Sequence, residues 1–191
     1  MPDYNITKRK EKIMKIVILT GSPHKAGTSA LLIDKFIEGV KESGHSVFRF
    51  DAAFEKVHPC IGCDKCECGK NPCVFQDSMT KLYPKLQEAD LIAFATPLYY
   101  HGMSAQIKAV IDRFHGIDDI LRFSAKKAVL LVAAADCNDH IMRGVVATFE
   151  ESVRYLGWQD CGKVLAMGCY TRTEIEKTEY PEQAYQMGKK V

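Results

Sequence analysis

Three short, continuous apolar runs constrain this chain more than any other feature: residues 13–20 (IMKIVILT), 90–96 (DLIAFAT) and 127–135 (KAVLLVAAA). Runs of this length without alternation are the mark of strands buried on both faces, which requires a layer of helices on each side. The intervening sequence supplies those helices. Residues 28–43 place Leu31, Leu32, Phe36, Ile37 and Val40 on one face, with Thr28 or Ser29 as the expected cap and Gly44 as the stop. Helices are also expected near 80–88, over 104–115 with Ile107, Val110, Ile111 and Phe114 inward, over 139–156 ended by Gly157, and over 182–190. Residues 45–51 alternate as a further strand, Pro97 is expected to stop the strand before it, and 162–167 make a fifth. Five strands alternating with helices predict an α/β fold: a doubly wound parallel sheet of order 2-1-3-4-5.

Composition is that of an average globular chain: 191 residues, 47% hydrophobic and 26% charged, which excludes fibrous and disordered classes. The net charge of +2 is uneven. Lys8, Arg9, Lys10, Lys12 and Lys15 crowd a polar segment, residues 1–12, expected to be a loose basic arm, while residues 16–191 sum to −1. A near-neutral body gives no footprint for nucleic acid. No apolar run reaches the roughly 18 residues of a membrane span, and no signal core is evident, so a soluble cytoplasmic protein without a membrane partner is expected. Residues 13–191 are read as a single domain, with one long irregular stretch at 52–79.

Ligands of open α/β sheets bind at the carboxyl ends of the strands. The first strand runs into TGSPHKAGTS, which is neither a G-x-G-x-x-G turn nor a Walker loop, so ATP and dinucleotide binding of those types are disfavoured. Its hydroxyls, Ser22, Thr28 and Ser29, lie at a helix start, where free N–H groups and the helix dipole favour a phosphate. The plain alternative is an ordinary strand–helix turn. The strand ending at 96 runs into TPLYYHGMS. Adjacent Tyr99 and Tyr100 cannot both be core residues in an extended segment, so one is expected to face a cleft, and Gly102 permits close approach of a flat ligand. The alternative is a Pro/Gly turn with packed tyrosines.

Taken together and in order, GSPHKAGTS, CIGCDKC and TPLYYHGMSAQIKAVIDRF resemble the flavodoxin-like NAD(P)H-dependent FMN reductases, in particular their iron–sulfur flavoprotein branch. The resemblance implies FMN with its phosphate on Ser22, His24, Gly27, Thr28 and Ser29. It implies the isoalloxazine on Pro97, Leu98, Tyr99, Tyr100, His101 and Gly102, with Ser104 nearby. Asp136 would border the other side of the ring, although this chain has Ala-Asp-Cys-Asn where the family often has a Thr-Gly-Gly-like turn. It further implies NAD(P)H as co-substrate, a small-molecule or protein electron acceptor, and assembly as a homodimer or homotetramer.

Of eight cysteines, five fall within residues 60–73. Clustered thiols in a chain without a secretion signal favour metal, cluster or redox chemistry over structural disulfides. Cys60, Cys63 and Cys66 follow C-x2-C-x2-C, a spacing that can hold neighbouring irons. The family pattern implies Cys73 as a fourth ligand of a [4Fe–4S] cluster, leaving Cys68 spare. Zinc, a thiol–disulfide pair and an unmetallated loop all remain open. Cys161 and Cys169 read as buried thiols, Trp158 as packing, and Asp118, Asp119, Glu150 and Glu151 as solvated charges. Three readings follow: an NAD(P)H-dependent flavin reductase without an obligatory acid–base residue, an iron–sulfur electron carrier fed by a ferredoxin-type protein, and a nucleotide-binding module without turnover.

Overall fold

The computed structural model describes residues 12–191, so the expected arm lies outside the described residues except for Lys12. The strands are β1 (Lys15–Thr20), β2 (Ser46–Asp51), β3 (Leu91–Tyr99), β4 (Gly102–Met103), β5 (Lys127–Ala133) and β6 (Gln159–Ala166). The helices are α1 (Thr28–Glu42), α2 (Met79–Glu88), α3 (Ala105–Asp112), α4 (Asp118–Leu121), α5 (Arg143–Leu156), α6 (Arg172–Ile175) and α7 (Tyr180–Lys190). The parallel sheet runs β2-β1-β3-β5-β6, and β4 is a two-residue strand antiparallel to β3. Leaving β4 aside, this is the expected order.

The apolar runs sort by the two-residue period of a strand. Val17 and Leu19 of β1, Ile92 and Phe94 of β3, and Leu130 and Val132 of β5 face one core, with inward residues of α2, α3 and α5. Ile16 and Ile18, Ala93 and Ala95, and Val129 and Leu131 face the other, with α1 and α7. There α1 and α7 cross with their backbones almost touching. A Cβ on Gly188 would sit 2.2 Å from the Phe36 carbonyl oxygen, and one on Gly39 2.2 Å from that of Tyr185. Glycine at both positions is what lets the last helix close onto the first. Trp158 packs as expected, donating from Nε1 to the Leu121 carbonyl at 2.8 Å.

Several expectations are corrected. Pro97 does not stop β3: it pairs with Ala133 on the last parallel rung, and the strand continues to Tyr99. Proline removes only an N–H, a loss that a strand tolerates at the sheet margin. Neither Thr28 nor Ser29 caps α1; the N-cap is Gly27, which has no side chain to offer. The helix expected over 104–115 is α-helical to Asp112 and then tightens into a 3-10 turn, Arg113–Ile117. The one expected from 139 opens with a 3-10 turn before α5. The last strand begins at Gln159, before an irregularity opposite Ala128–Leu130, and runs through it to Ala166. Asp118 is buried, accepting from the Tyr155 hydroxyl at 3.1 Å.

The stretch 52–78 between β2 and α2 is fixed by one buried ion pair. Arg113 and Asp77 have side chains 2% and 1% exposed. Arg113 Nη1 donates to Asp77 Oδ2 at 2.8 Å and to the His58 carbonyl at 2.8 Å. Asp77 also accepts from the backbone N–H of His58 and Met79, both at 2.9 Å. Burial pushes the Asp77 carboxyl up, but the hydrogen bonds from Arg113, His58 and Met79 together hold it below its ordinary value. Removing one member of such a pair strands the other charge, so Asp77→Asn should destabilise the fold by about 3–5 kcal/mol in denaturant titrations near neutral pH. Because the folded carboxyl is depressed, its contribution is full above the unfolded value of about 3.9 and is lost as pH falls further. The gap between wild type and Asp77→Asn should therefore narrow below about pH 4.

Candidate cofactor cleft and thiol pocket

At the carboxyl end of the sheet, Gly21 continues the ladder, its N–H bonding Ala95 O at 2.8 Å. A Cβ here would meet Ser104 Oγ at 2.3 Å and Ile107 Cβ at 2.9 Å. Glycine thus lets the turn after β1 rest directly on the start of α3, where Ser104 Oγ donates to the Gly21 carbonyl at 2.7 Å. The chain then folds back through Ser22, whose Oγ accepts from the His24 N–H at 3.1 Å, and Gly27 N–H bonds the His24 carbonyl. From Gly27 it enters α1. The first intrahelical bond visible beyond the cap is from Leu31 N to Gly27 O, and no side chain caps the turn. The N–H groups of Thr28, Ser29 and Ala30 are the orphan donors that every helix start leaves. Ser29 Oγ beside them is buried and has no hydrogen-bond partner among the described residues.

These residues form one wall of a cleft of about 650 Å³, within the usual range for cofactor sites. The cleft collects Ser22, His24, Gly27, Thr28 and Ser29 from the turn and Pro97, Leu98 and Tyr99 from the end of β3. It also collects Lys25, whose ammonium lies over the Phe54 ring, Ala133 at the end of β5, Ala135 two residues on, and Cys169 and Tyr170. Lys25 was visible within GSPHKAGTS. Cys169 is buried, its thiol pushed up by burial, and it lines this cleft in addition to packing.

Five of the expected ring or phosphate residues are placed elsewhere. Ser104 is fully buried and supports the turn from behind. Tyr100 and His101 form the two-residue loop between β3 and β4, with φ of 47° and 62°. Both positive values match a type I′ turn, usually the province of Asn and Gly. Tyr100 is fully exposed, whereas His101 packs on the segment before α5, with Nδ1 3.3 Å from the Ile141 carbonyl oxygen. Gly102 begins β4. Asp136 is exposed and bonded to Asn138, with its backbone oxygen accepting from Gly168.

The four thiols singled out in the loop come together. Cys60, Cys63, Cys66 and Cys73 line a small pocket closed by Arg113, His115 and Gly116 of the 3-10 turn after α3. Burial pushes the Cys66 thiol up. Cys68 is set apart, with Sγ 3.9 Å from His115 Nδ1 and beside the carboxylates of Asp118 and Asp119. Among the described residues that trio is the one set of three ligand atoms lying within 4.8 Å of one another. A tetrahedral zinc with Zn–S bonds of about 2.3 Å needs sulfurs about 3.8 Å apart. Among the described residues no three of the four pocket thiols approach one another that closely.

The family model of the NADPH-dependent FMN reductases matches residues 14–171. The chain belongs to that family. Among curated relatives of this chain, an iron-sulfur flavoprotein of Methanocaldococcus jannaschii is 36% identical over 101 residues, covering 52% of this chain and 51% of the relative. The chain thus matches about half the length of the curated relatives of that kind. Its fold is similar to that of an azoreductase of Bacillus anthracis, at a TM-score of 0.72 and 18% identity, over 94% of this chain and all of the other. It is likewise similar to an NAD(P)H:quinone oxidoreductase of Methanothermobacter marburgensis, at 0.71 and 17%, over 93% and 96%. Among the described residues no helix is long and apolar enough to cross a membrane.

The donor set fits the family's cofactor: a run of free N–H groups, an unpartnered hydroxyl and a lysine suit the phosphate of FMN. The hydroxyl provides a test that separates binding from folding. Ser29→Ala removes a buried group without a partner, so apoprotein stability in thermal unfolding should stay level or rise. FMN affinity, measured by quenching of flavin fluorescence, should fall by about tenfold or more, reflecting the ~1.5–3 kcal/mol of a hydrogen bond to a charged group.

Proposed function

We propose that this chain is a flavin-dependent oxidoreductase that passes electrons from NAD(P)H through FMN to a small-molecule or protein acceptor. The observation that carries this reading is the uncapped start of α1, with the partnerless Ser29 hydroxyl beside it, in a cleft whose facing wall is the end of β3. When bound there, FMN supplies the hydride and single-electron chemistry, and the protein supplies binding, orientation and electrostatics.

Each wall of the cleft has its own task. The N–H groups of Thr28, Ser29 and Ala30, with Lys25, hold the dianionic phosphate. Pro97, Leu98 and Tyr99 run extended against the cleft and are braced by the antiparallel pairs Leu98–Met103 and Tyr99–Gly102. This hairpin gives the isoalloxazine a fixed backbone edge for hydrogen bonding. Small Ala133 and Ala135 leave room on the opposite side. Tyr99 is 44% exposed, so the mouth stays open to a nicotinamide or an acceptor, and a second copy of the chain is a suitable cover for it. No side chain need take a proton at a fixed atom, in keeping with a cleft that contains no paired carboxylates.

A specific observation favours the iron–sulfur electron-carrier reading as a companion to this one. Cys60, Cys63, Cys66 and Cys73 share one pocket, and four thiolates are the ligand set of a [4Fe–4S] cluster. Ser104, which supports the turn after β1, and Arg113, which lines the thiol pocket, flank the two ends of α3, whose eight residues span about 12 Å.

Anaerobically purified protein should be yellow-brown, with flavin bands over a broad cluster shoulder, and NADH or NADPH should bleach the flavin bands in stopped-flow mixing. Colourless protein that takes up no FMN would overturn the flavin assignment. Cys63→Ala should abolish bound iron while leaving FMN stoichiometry intact, and unchanged iron content would remove Cys63 from the ligand set.

A further inference from the structure

We propose that Arg113 is a positioning residue for the cluster, donating a hydrogen bond from Nε–H to a cluster sulfur and raising the cluster's reduction potential. This rests on the reading of Cys60, Cys63, Cys66 and Cys73 as cluster ligands.

A guanidinium has five N–H donors in a rigid fork. In Arg113 the outer nitrogens are engaged: Nη1 with the His58 carbonyl and Asp77 Oδ2, both at 2.8 Å, and Nη2 with Asp77 Oδ1 at 3.4 Å. The guanidinium also lies over the Phe75 ring, 5.3 Å from its centre. His58 and Asp77 bracket the segment that carries the four thiols, so Arg113 clamps both ends of the loop. Burial opposes its charge, but the hydrogen bonding to Asp77 more than offsets this and keeps it firmly protonated.

What remains is Nε. It is buried and has no partner among the described residues, in a side chain 2% exposed. A buried charged donor left unpaired costs more than a neutral one, so an orphan of this kind calls for an acceptor. Arg113 lines the same pocket as the four thiols, and the other groups of that lining are apolar or exposed. Four thiolates and their irons carry net negative charge, and a hydrogen bond to a cluster sulfur favours the more negative, reduced form. The clamp and the potential are then two effects of one side chain, with the fork fixing the loop and the inner nitrogen meeting the sulfur. Lysine cannot do both, since its ammonium is a single point donor.

The experiment uses the full chain reconstituted anaerobically with iron and sulfide. It measures iron per chain and the midpoint potential by a mediated dithionite titration followed by electron paramagnetic resonance. Two variants are compared: Arg113→Lys, which keeps a cation for Asp77, and Arg113→Gln with Asp77→Asn, which leaves no stranded charge. The expected result is wild-type iron content and a midpoint shifted to more negative potential in both. Full iron content with a wild-type midpoint in both would overturn the proposal. Loss of iron from both variants would also overturn it, assigning Arg113 to loop shape alone. Wild-type protein that binds no iron would overturn the cluster reading itself, and this assignment with it.

Discussion

The site depends on a helix start that the chain leaves unfinished. Most helices close their first turn with a side chain at the N-cap, but α1 begins after Gly27 and has none. A partnerless hydroxyl is buried beside the free N–H groups. This arrangement costs stability in the empty protein and becomes favourable once an anion arrives. The cost is tolerated because the turn is held from behind. Gly21 lies against Ser104 and Ile107 too closely for any side chain, and Ser104 bonds the Gly21 carbonyl.

The same helix that supports the turn reaches the cysteine loop. At its amino end α3 carries Ser104, and just past its carboxyl end Arg113 closes the thiol pocket and pairs with Asp77. Neither residue touches the cleft directly. One keeps the phosphate turn in place, and the other keeps the loop 58–77 in place, so the relative position of the two sites is set by one short rigid element. Parallel strands bring all their carboxyl ends to one side, which is where the cofactor cleft lies.

Much of this was legible in the sequence, and what was missed has physical causes. The apolar runs at 13–20, 90–96 and 127–135 announced strands buried on both faces because each supplies alternate residues to two cores. The turn after β1 stood out by its hydroxyls and its position after the first strand, and it forms one wall of the cleft. The capping role expected of Thr28 or Ser29 was wrong because the chain tightens through the Ser22–His24 turn and reaches helical geometry one residue early. Tyr100 carried no signal of positive φ, and His101 only the weak one of a residue type enriched there. Asp118 looked like a surface charge because its partner, Tyr155, is distant in sequence. The pair Asp77–Arg113, 36 residues apart, was invisible for the same reason. The short helix α6 could have been found: Thr171 and Glu174 form a capping box, a spacing plain in the sequence.

The central claim is that the start of α1 is a phosphate site and that phosphate recognition, more than ring stacking, selects the cofactor. The most direct measurement compares FMN with riboflavin, which shares the ring but lacks the phosphate, in fluorescence titrations of the apoprotein at constant ionic strength. The account predicts strong preference for FMN, weakening as salt is raised. Equal affinity for the two flavins would contradict it.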